Sequence, residues 1–149
     1  NTAALLDKNL IKDSSEKFGS QCVVVAIDVK KHEDSWFVYS HGGTKNTGIN
    51  IFFWLEEIEK LGAGEILLTS MDRDGTKKGF DLDLLKKATN IINIPLIASG
   101  GVGTLEHFEK GVSEGGASAL LAASIFHFAE FSIEDVKIYL NKKNILVRL

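Results

Sequence analysis

The sequence of 149 residues has one cysteine, Cys22, set inside an apolar run. No internal disulfide can form, so a disulfide-stapled mini-protein is excluded and a reducing cytosol is the expected compartment. Long apolar runs are missing: none approaches the ~20 residues that span a bilayer, and the opening residues lack the basic-then-apolar pattern of a signal peptide. A basic stripe is missing too. The net charge is −3, and apart from Arg73 and Arg148 the basic residues are lysines, either single or in scattered pairs such as Lys30-Lys31 and Lys77-Lys78. Nucleic acid is therefore not an expected partner. His32, His41, His107 and His127 show no metal-ligand spacing with Cys22 or one another, so structural or surface roles are expected, with no metal and no cofactor. Gly100-Gly101-Val102-Gly103 lacks the spacing of a dinucleotide fingerprint, and no Ser–His–Asp pattern stands out.

What is present is ordinary for a folded domain: 44% hydrophobic and 25% charged residues, enough for one core and one domain over residues 1–149. Short apolar runs alternate with amphipathic segments. Four runs predict buried parallel strands: Cys22–Ile27, Glu65–Thr69, Pro95–Ala98 and Ala117–Ala122. Each is nearly continuous in apolar residues, which suits strands covered on both faces. Helical stripes lie between and after them, at Ile51, Leu55 and Ile58, at Leu105, Phe108 and Val112, and at Ile133, Val136 and Leu140. Ser132 with Asp135 forms a capping pair for the last helix. Further helices are predicted near Lys8–Phe18, ending at Gly19, and near Leu82–Ala88. Trp54 and Phe108 read as core residues. Trp36-Phe37-Val38-Tyr39, between Lys30 and Lys45, reads as a hairpin excursion on the loop after the first strand.

Repeated strand–helix units imply an α/β fold with a parallel sheet and right-handed crossovers. Two architectures compete: an open doubly wound sheet, and a (βα)4 half of an eightfold barrel. Asn1-Thr2, placed just before a helix, looks like the tail of a preceding strand.

In both architectures ligands sit at the carboxyl ends of the strands. Asp28 ends the first strand, either as a proton-transfer group tuned by its surroundings or as a structural carboxylate paired with Lys30. Gly42–Gly48 is either a mobile loop closing over a ligand or the return of the hairpin. Thr69–Thr76 after the second strand places Asp72, Arg73 and Asp74 among hydroxyls, a density that favours function over a salt-bridged turn. Ser99-Gly100-Gly101 after the third strand, and Ala123-Ser124 leading into a short helix after the fourth, suit a phosphate held by main-chain amides.

These segments, taken in order, resemble a known family. Asn1-Thr2-Ala3-Ala4, Phe18-Gly19-Ser20-Gln21 leading into Val23–Asp28, Lys45-Asn46-Thr47-Gly48, Gly62–Ser70, Asp72–Lys77, Ala98–Gly101, Ala123–Phe128 and Val147-Arg148-Leu149 are similar to the second half of the cyclase subunit of imidazole glycerol phosphate synthase. The resemblance covers essentially the whole chain. It implies half of a (βα)8 barrel acting in histidine biosynthesis. The substrate would be a doubly phosphorylated phosphoribulosyl-formimino-aminoimidazole-carboxamide ribonucleotide, and a partner glutaminase subunit would deliver ammonia through the barrel. The products would be imidazole glycerol phosphate and an aminoimidazole carboxamide ribonucleotide.

By the same resemblance Asp28 is one of two catalytic aspartates, and Asp74 is an accessory carboxylate of the site. Thr69, Ser99, Gly100, Gly101, Ala123 and Ser124 surround one phosphate, and Asn1 and Thr2 serve the other. Gly43, Lys45 and Asn46 belong to a mobile active-site loop. Glu65 belongs to a charged gate through which ammonia enters. The family's first four units, with the other catalytic aspartate, have no counterpart here. The expectation is a chain that turns over substrate only when joined to the missing half. The alternatives are the sister isomerase of the same pathway and a non-catalytic, self-associating half-barrel that binds phosphate.

Overall fold

The computed structural model describes residues 1–148; Leu149, the last residue of the closing motif, lies outside the described residues. The chain runs α1 (Thr2–Leu6), α2 (Asn9–Phe18), a 3-10 turn at Ser20–Cys22, and β1 (Val24–His32). Next come β2 (Ser35–Ser40), β3 (Lys45–Asn50), α3 (Ile51–Lys60), β4 (Glu65–Ser70) and α4 (Leu82–Thr89). It closes with β5 (Leu96–Ser99), α5 (Leu105–Ser113), β6 (Ala119–Leu121), α6 (Ser124–His127) and α7 (Ile133–Lys142). All six strands form one sheet in the order β3-β2-β1-β4-β5-β6. β1, β4, β5 and β6 are parallel, whereas β1, β2 and β3 form an antiparallel meander. This is the α/β architecture of half a TIM barrel.

Helix starts are set by side chains that satisfy free N–H groups. Asn50 accepts from the Phe52 amide at 2.9 Å, and Asp81 accepts from the Leu84 amide at 3.2 Å. Ser132 and Asp135 form the reciprocal pair expected at α7, at 2.8 and 3.0 Å. The helical stripes then pack inward: Ile51, Leu55, Ile58, Trp54 and Phe108 are all buried.

The strands alternate strictly. Val25, Ile27 and Val29 on β1, Ile66 and Leu68 on β4, and Leu96 and Ala98 on β5 are buried under the helices. Their neighbours Val24, Ala26, Asp28, Glu65, Leu67, Thr69, Ile97, Ser99, Ala119 and Leu121 point to the other face and are half-buried or exposed. The expectation of strands covered on both faces is corrected: helices cover one face only. Near-continuous apolar runs arise because the second face of this sheet is also largely apolar, as barrel interiors are.

Other boundaries are corrected as well. Cys22 lies in the 3-10 turn and is exposed, not inside a strand. Thr2 opens a helix, with Asn1 as its cap, and is not the tail of a strand. β1 runs on past Asp28 to His32, because its second half pairs with β2 from Asp28↔Tyr39 to His32↔Ser35. The hairpin is thus part of the main sheet, and Trp36 and Val38 on its covered face are fully buried. The Trp36 indole donates to Asp81 at 2.9 Å, and the same carboxylate oxygen accepts from Ser70 Oγ at 3.3 Å.

Candidate functional site

The bare face of the sheet carries the polar residues in one row. Asp28 on β1 stands opposite Thr69 on β4, which stands opposite Ser99 on β5, which stands opposite Leu121 on β6. With neighbouring strands about 4.8 Å apart, Asp28 and Ser99 are separated by roughly 10 Å. One level toward the amino ends lies an apolar row, Ala26, Leu67, Ile97 and Ala119. The polar row therefore sits on a hydrophobic floor.

Beyond Ser99 the chain turns through Gly100 and Gly101, with φ of 96° and 99°. Only glycine fits here. A Cβ on Gly100 would lie 2.8 Å from the Ser70 carbonyl oxygen, and one on Gly101 would lie 2.3 Å from the Gly79 carbonyl oxygen. These turns bring bare main chain to the wall of a cavity of about 380 Å³. Thr69, Ser99, Gly100 and Gly101 line one side of it, Ala123 and Ser124 at the start of α6 line another, and Asp74 lies on its rim. The six residues expected around one phosphate are thus brought together, with Asp74 beside them. Paired glycines and a short helix start suit an oxyanion.

Asp28 lies in the row but outside that cavity. Its Oδ2 accepts a hydrogen bond from Asn1 Nδ2 at 2.9 Å, and the other Asn1 N–H goes to the Tyr39 carbonyl at 2.9 Å. No ion pair joins Asp28 to Lys30 among the described residues. Asn1 was expected to serve a phosphate. Both of its side-chain donors are committed to Asp28 and Tyr39, and its Oδ1, buried without a partner, is an acceptor that repels anionic oxygen. The Asn1 side chain therefore ties Asp28 to the Tyr39 carbonyl. Thr2 Oγ1 accepts from the His41 amide at 2.9 Å, which ties it to the β2–β3 turn. The pairing of Asn1 with Asp28 has no signature in the sequence, since it depends on where the sheet places Tyr39.

Gly43 lies in the turn between β2 and β3 with φ of 82°. Lys45 and Asn46, expected in a loop, instead open β3 and pair with Ser40 and Tyr39. A glycine-rich polar stretch is strand here because β2 supplies its hydrogen bonds. Glu65 is the first residue of β4 on the bare face, opposite Val24. It lies four residues below Thr69, about 13 Å along the strand.

Displaced titrations lie away from this row, at the contact of α5 with α7. Tyr139 Oη donates to Glu109 Oε2 at 2.7 Å, and Lys143 Nζ lies 3.3 Å from the same oxygen. The Tyr139 hydroxyl is the main cause holding Glu109 below the usual carboxylate range, against a smaller cost of burial, and Lys143 adds to it. The same contact raises Tyr139 and Lys143. Asp135 is lowered by its hydrogen bonds from Ser132.

Among the described residues no three His, Cys, Asp or Glu side chains gather to hold a metal ion, and no helix is long and apolar enough to cross a membrane. Comparison with protein families gives a match over residues 1–132 to the model described as "Histidine biosynthesis protein".

Proposed function

This chain belongs to the histidine biosynthesis protein family, and we propose that within it the chain is the second half of a cyclase. In this reading the completed barrel converts the phosphoribulosyl-formimino ribonucleotide and ammonia into imidazole glycerol phosphate and aminoimidazole carboxamide ribonucleotide. Members of the family are enzymes of the histidine pathway, isomerases or cyclases. The observation that carries the reading is the shared row: Asp28 stands level with Thr69 and Ser99, on the rim where Gly100 and Gly101 turn.

One phosphate sits in the cavity formed by Ser99–Gly101 and Ala123-Ser124. That pins the substrate so that its reacting carbon and nitrogen atoms lie along the row toward Asp28, roughly 10 Å away. Asp28, oriented by Asn1, takes and returns protons during ring closure and C–N cleavage. Asp74 acts from the rim of the phosphate cavity. Ammonia from a glutaminase partner enters past Glu65, at the opposite end of the bare face. The reaction is placed in the cytosol.

The site needs a second half. The bare face is only partly covered, and apolar residues on it reach 49% exposure at Val24 and 40% at Leu121. Among the described residues, β6 has no neighbour beyond it in the sheet, and β1 below Asp28 is paired on one side only. Open parallel edges are a strong drive to pair.

The test mixes the chain with the first four strand–helix units of the same enzyme and an ammonium salt, and follows product absorbance. Ammonia-dependent turnover is expected, and Asp28→Asn abolishes it while gel filtration shows assembly unchanged. Isomerisation without ammonia would establish the sister isomerase instead. Met71–Lys77 and Phe126-His127-Phe128 favour the cyclase. Phosphate binding by a self-associated dimer, with no turnover even beside the complementary half, would leave a non-catalytic half-barrel.

A further inference from the structure

A second cavity, of about 250 Å³, lies between the segment leading into α4 and the first turns of α5, and it shares no lining residue with the Ser99–Ser124 cavity. Its wall contains four cationic or N–H donor side chains: Arg73, Lys78, His107 and Lys110. Arg73 is half-buried, and its guanidinium makes no ion pair or side-chain hydrogen bond among the described residues, although Asp72 and Asp74 flank it in sequence. Asp72 accepts instead from the Lys31 amide at 2.7 Å. Lys78 and Lys110 are likewise without a carboxylate within salt-bridge distance among the described residues.

His107 is oriented for the same purpose. Its Nδ1 accepts from the Gly103 and Thr104 amides at 3.1 and 3.3 Å. The ring proton therefore sits on Nε2, and the Cδ2–Nε2 edge of the ring lies against Gly79 at the cavity wall. The two carboxylates in the lining are already committed. Asp81 accepts from Trp36, Ser70 and the Leu84 amide, and Asp83 pairs with Lys87 at 3.0 Å. Arg73, Lys78 and Lys110 thus face one carboxylate, Asp81, whose partners are neutral donors, so cations outnumber unpaired carboxylates in this lining. The planar fork of the guanidinium matches a phosphoryl or sulfate oxygen pair.

We propose that this cavity is a second oxyanion site, for a phosphoryl group, held by Arg73 and the Nε2–H of His107 and neutralised by Lys78 and Lys110. Its position gives it a consequence. The Gly79 amide donates to the Gly101 carbonyl at 2.7 Å, so the wall of this cavity is bonded to the glycine turn that lines the first one. An anion here stiffens Gly79 and, through it, the turn that shapes the other phosphate cavity.

The test is a titration of the whole chain with inorganic phosphate, read by the imidazole proton signals of His107 and the amide signals of Gly79 and Ser124. Saturable movement of the His107 signals is expected, with an apparent affinity distinct from that seen at Ser124. Arg73→Met should weaken the response at His107 at least tenfold and leave Ser124 within twofold. His107→Gln, which keeps an N–H donor, should retain the response at Gly79. The Gly79 and Gly101 amides should exchange more slowly at saturating phosphate. His107 signals that stay fixed to tens of millimolar phosphate would overturn the proposal, as would an Arg73→Met chain that responds like the parent. Neither outcome bears on Asp28, whose role is judged by turnover alone.

Discussion

The two faces of the parallel strands β1, β4, β5 and β6 differ more than any two separate parts of the molecule. Adjacent residues belong to opposite faces: Ile66 is fully buried under helices, while Leu67 beside it lies half-buried on the bare side. The covered face is where folding free energy is stored. The bare face carries Asp28, Thr69 and Ser99, and no helix among the described residues covers its apolar rows. One sheet thus separates stability from chemistry by residue parity alone, since a strand's side chains alternate with period two.

Changing the two faces at neighbouring positions sharpens that contrast. Ile66→Ala should cost about 2–5 kcal/mol in urea unfolding, the usual loss for an aliphatic side chain deleted from a packed core. Leu67→Ala should cost under about 1 kcal/mol in the chain alone, yet weaken its assembly with a complementary half in gel filtration. Equal losses in unfolding would mean that the faces are not distinct.

A smaller effect is expected from Asp81→Ala. It leaves the buried Trp36 indole and the Leu84 amide without their acceptor, at a cost of about 1–3 kcal/mol by thermal or chemical unfolding. On the bare side, Gly101→Ala should be folded but strained by about 1–3 kcal/mol. It should lose phosphate binding at the Ser124 amide, because the new Cβ collides with the Gly79 carbonyl.

The smallest effect concerns the outer helices. Glu109 and Asp135 are held below their usual values when folded. Their contribution is therefore complete above the unfolded carboxylate range, about pH 4, and is lost as pH falls through the folded values. Tyr139 and Lys143 are raised, so their contribution is complete below the unfolded values and is lost as pH rises through the folded ones. Amide exchange in α7 should accelerate at both extremes, and earlier than exchange in β4.

Strand positions were legible because a half-barrel keeps both faces largely apolar over short runs. Each site candidate after those runs followed from topology: Thr69, Ser99 and the paired glycines needed only the rule that ligands meet the carboxyl ends. The extension of β1 was not legible. Lys30-Lys31-His32-Glu33-Asp34 reads as loop, and it is strand up to His32 only because β2 supplies a partner and buries Trp36 and Val38 beneath it. α1 was missed for a different reason, as five residues are too short to carry a stripe. The grip of Asn1 on Asp28 spans 27 positions and depends on the meander reaching the same level as the row. Arg73 stood out in the sequence only as one charge among three, and nothing there signalled that the Asp72 carboxylate is engaged by the Lys31 amide.

The bond from Trp36 to Asp81 crosses from the hairpin of one strand–helix unit into the helix of the next. A hairpin fastened in that way does not move apart from the unit that follows it. Its posture is tied to the neighbouring repeat, so a lesion at the start of α4 would be felt as a change of shape on the far side of β1.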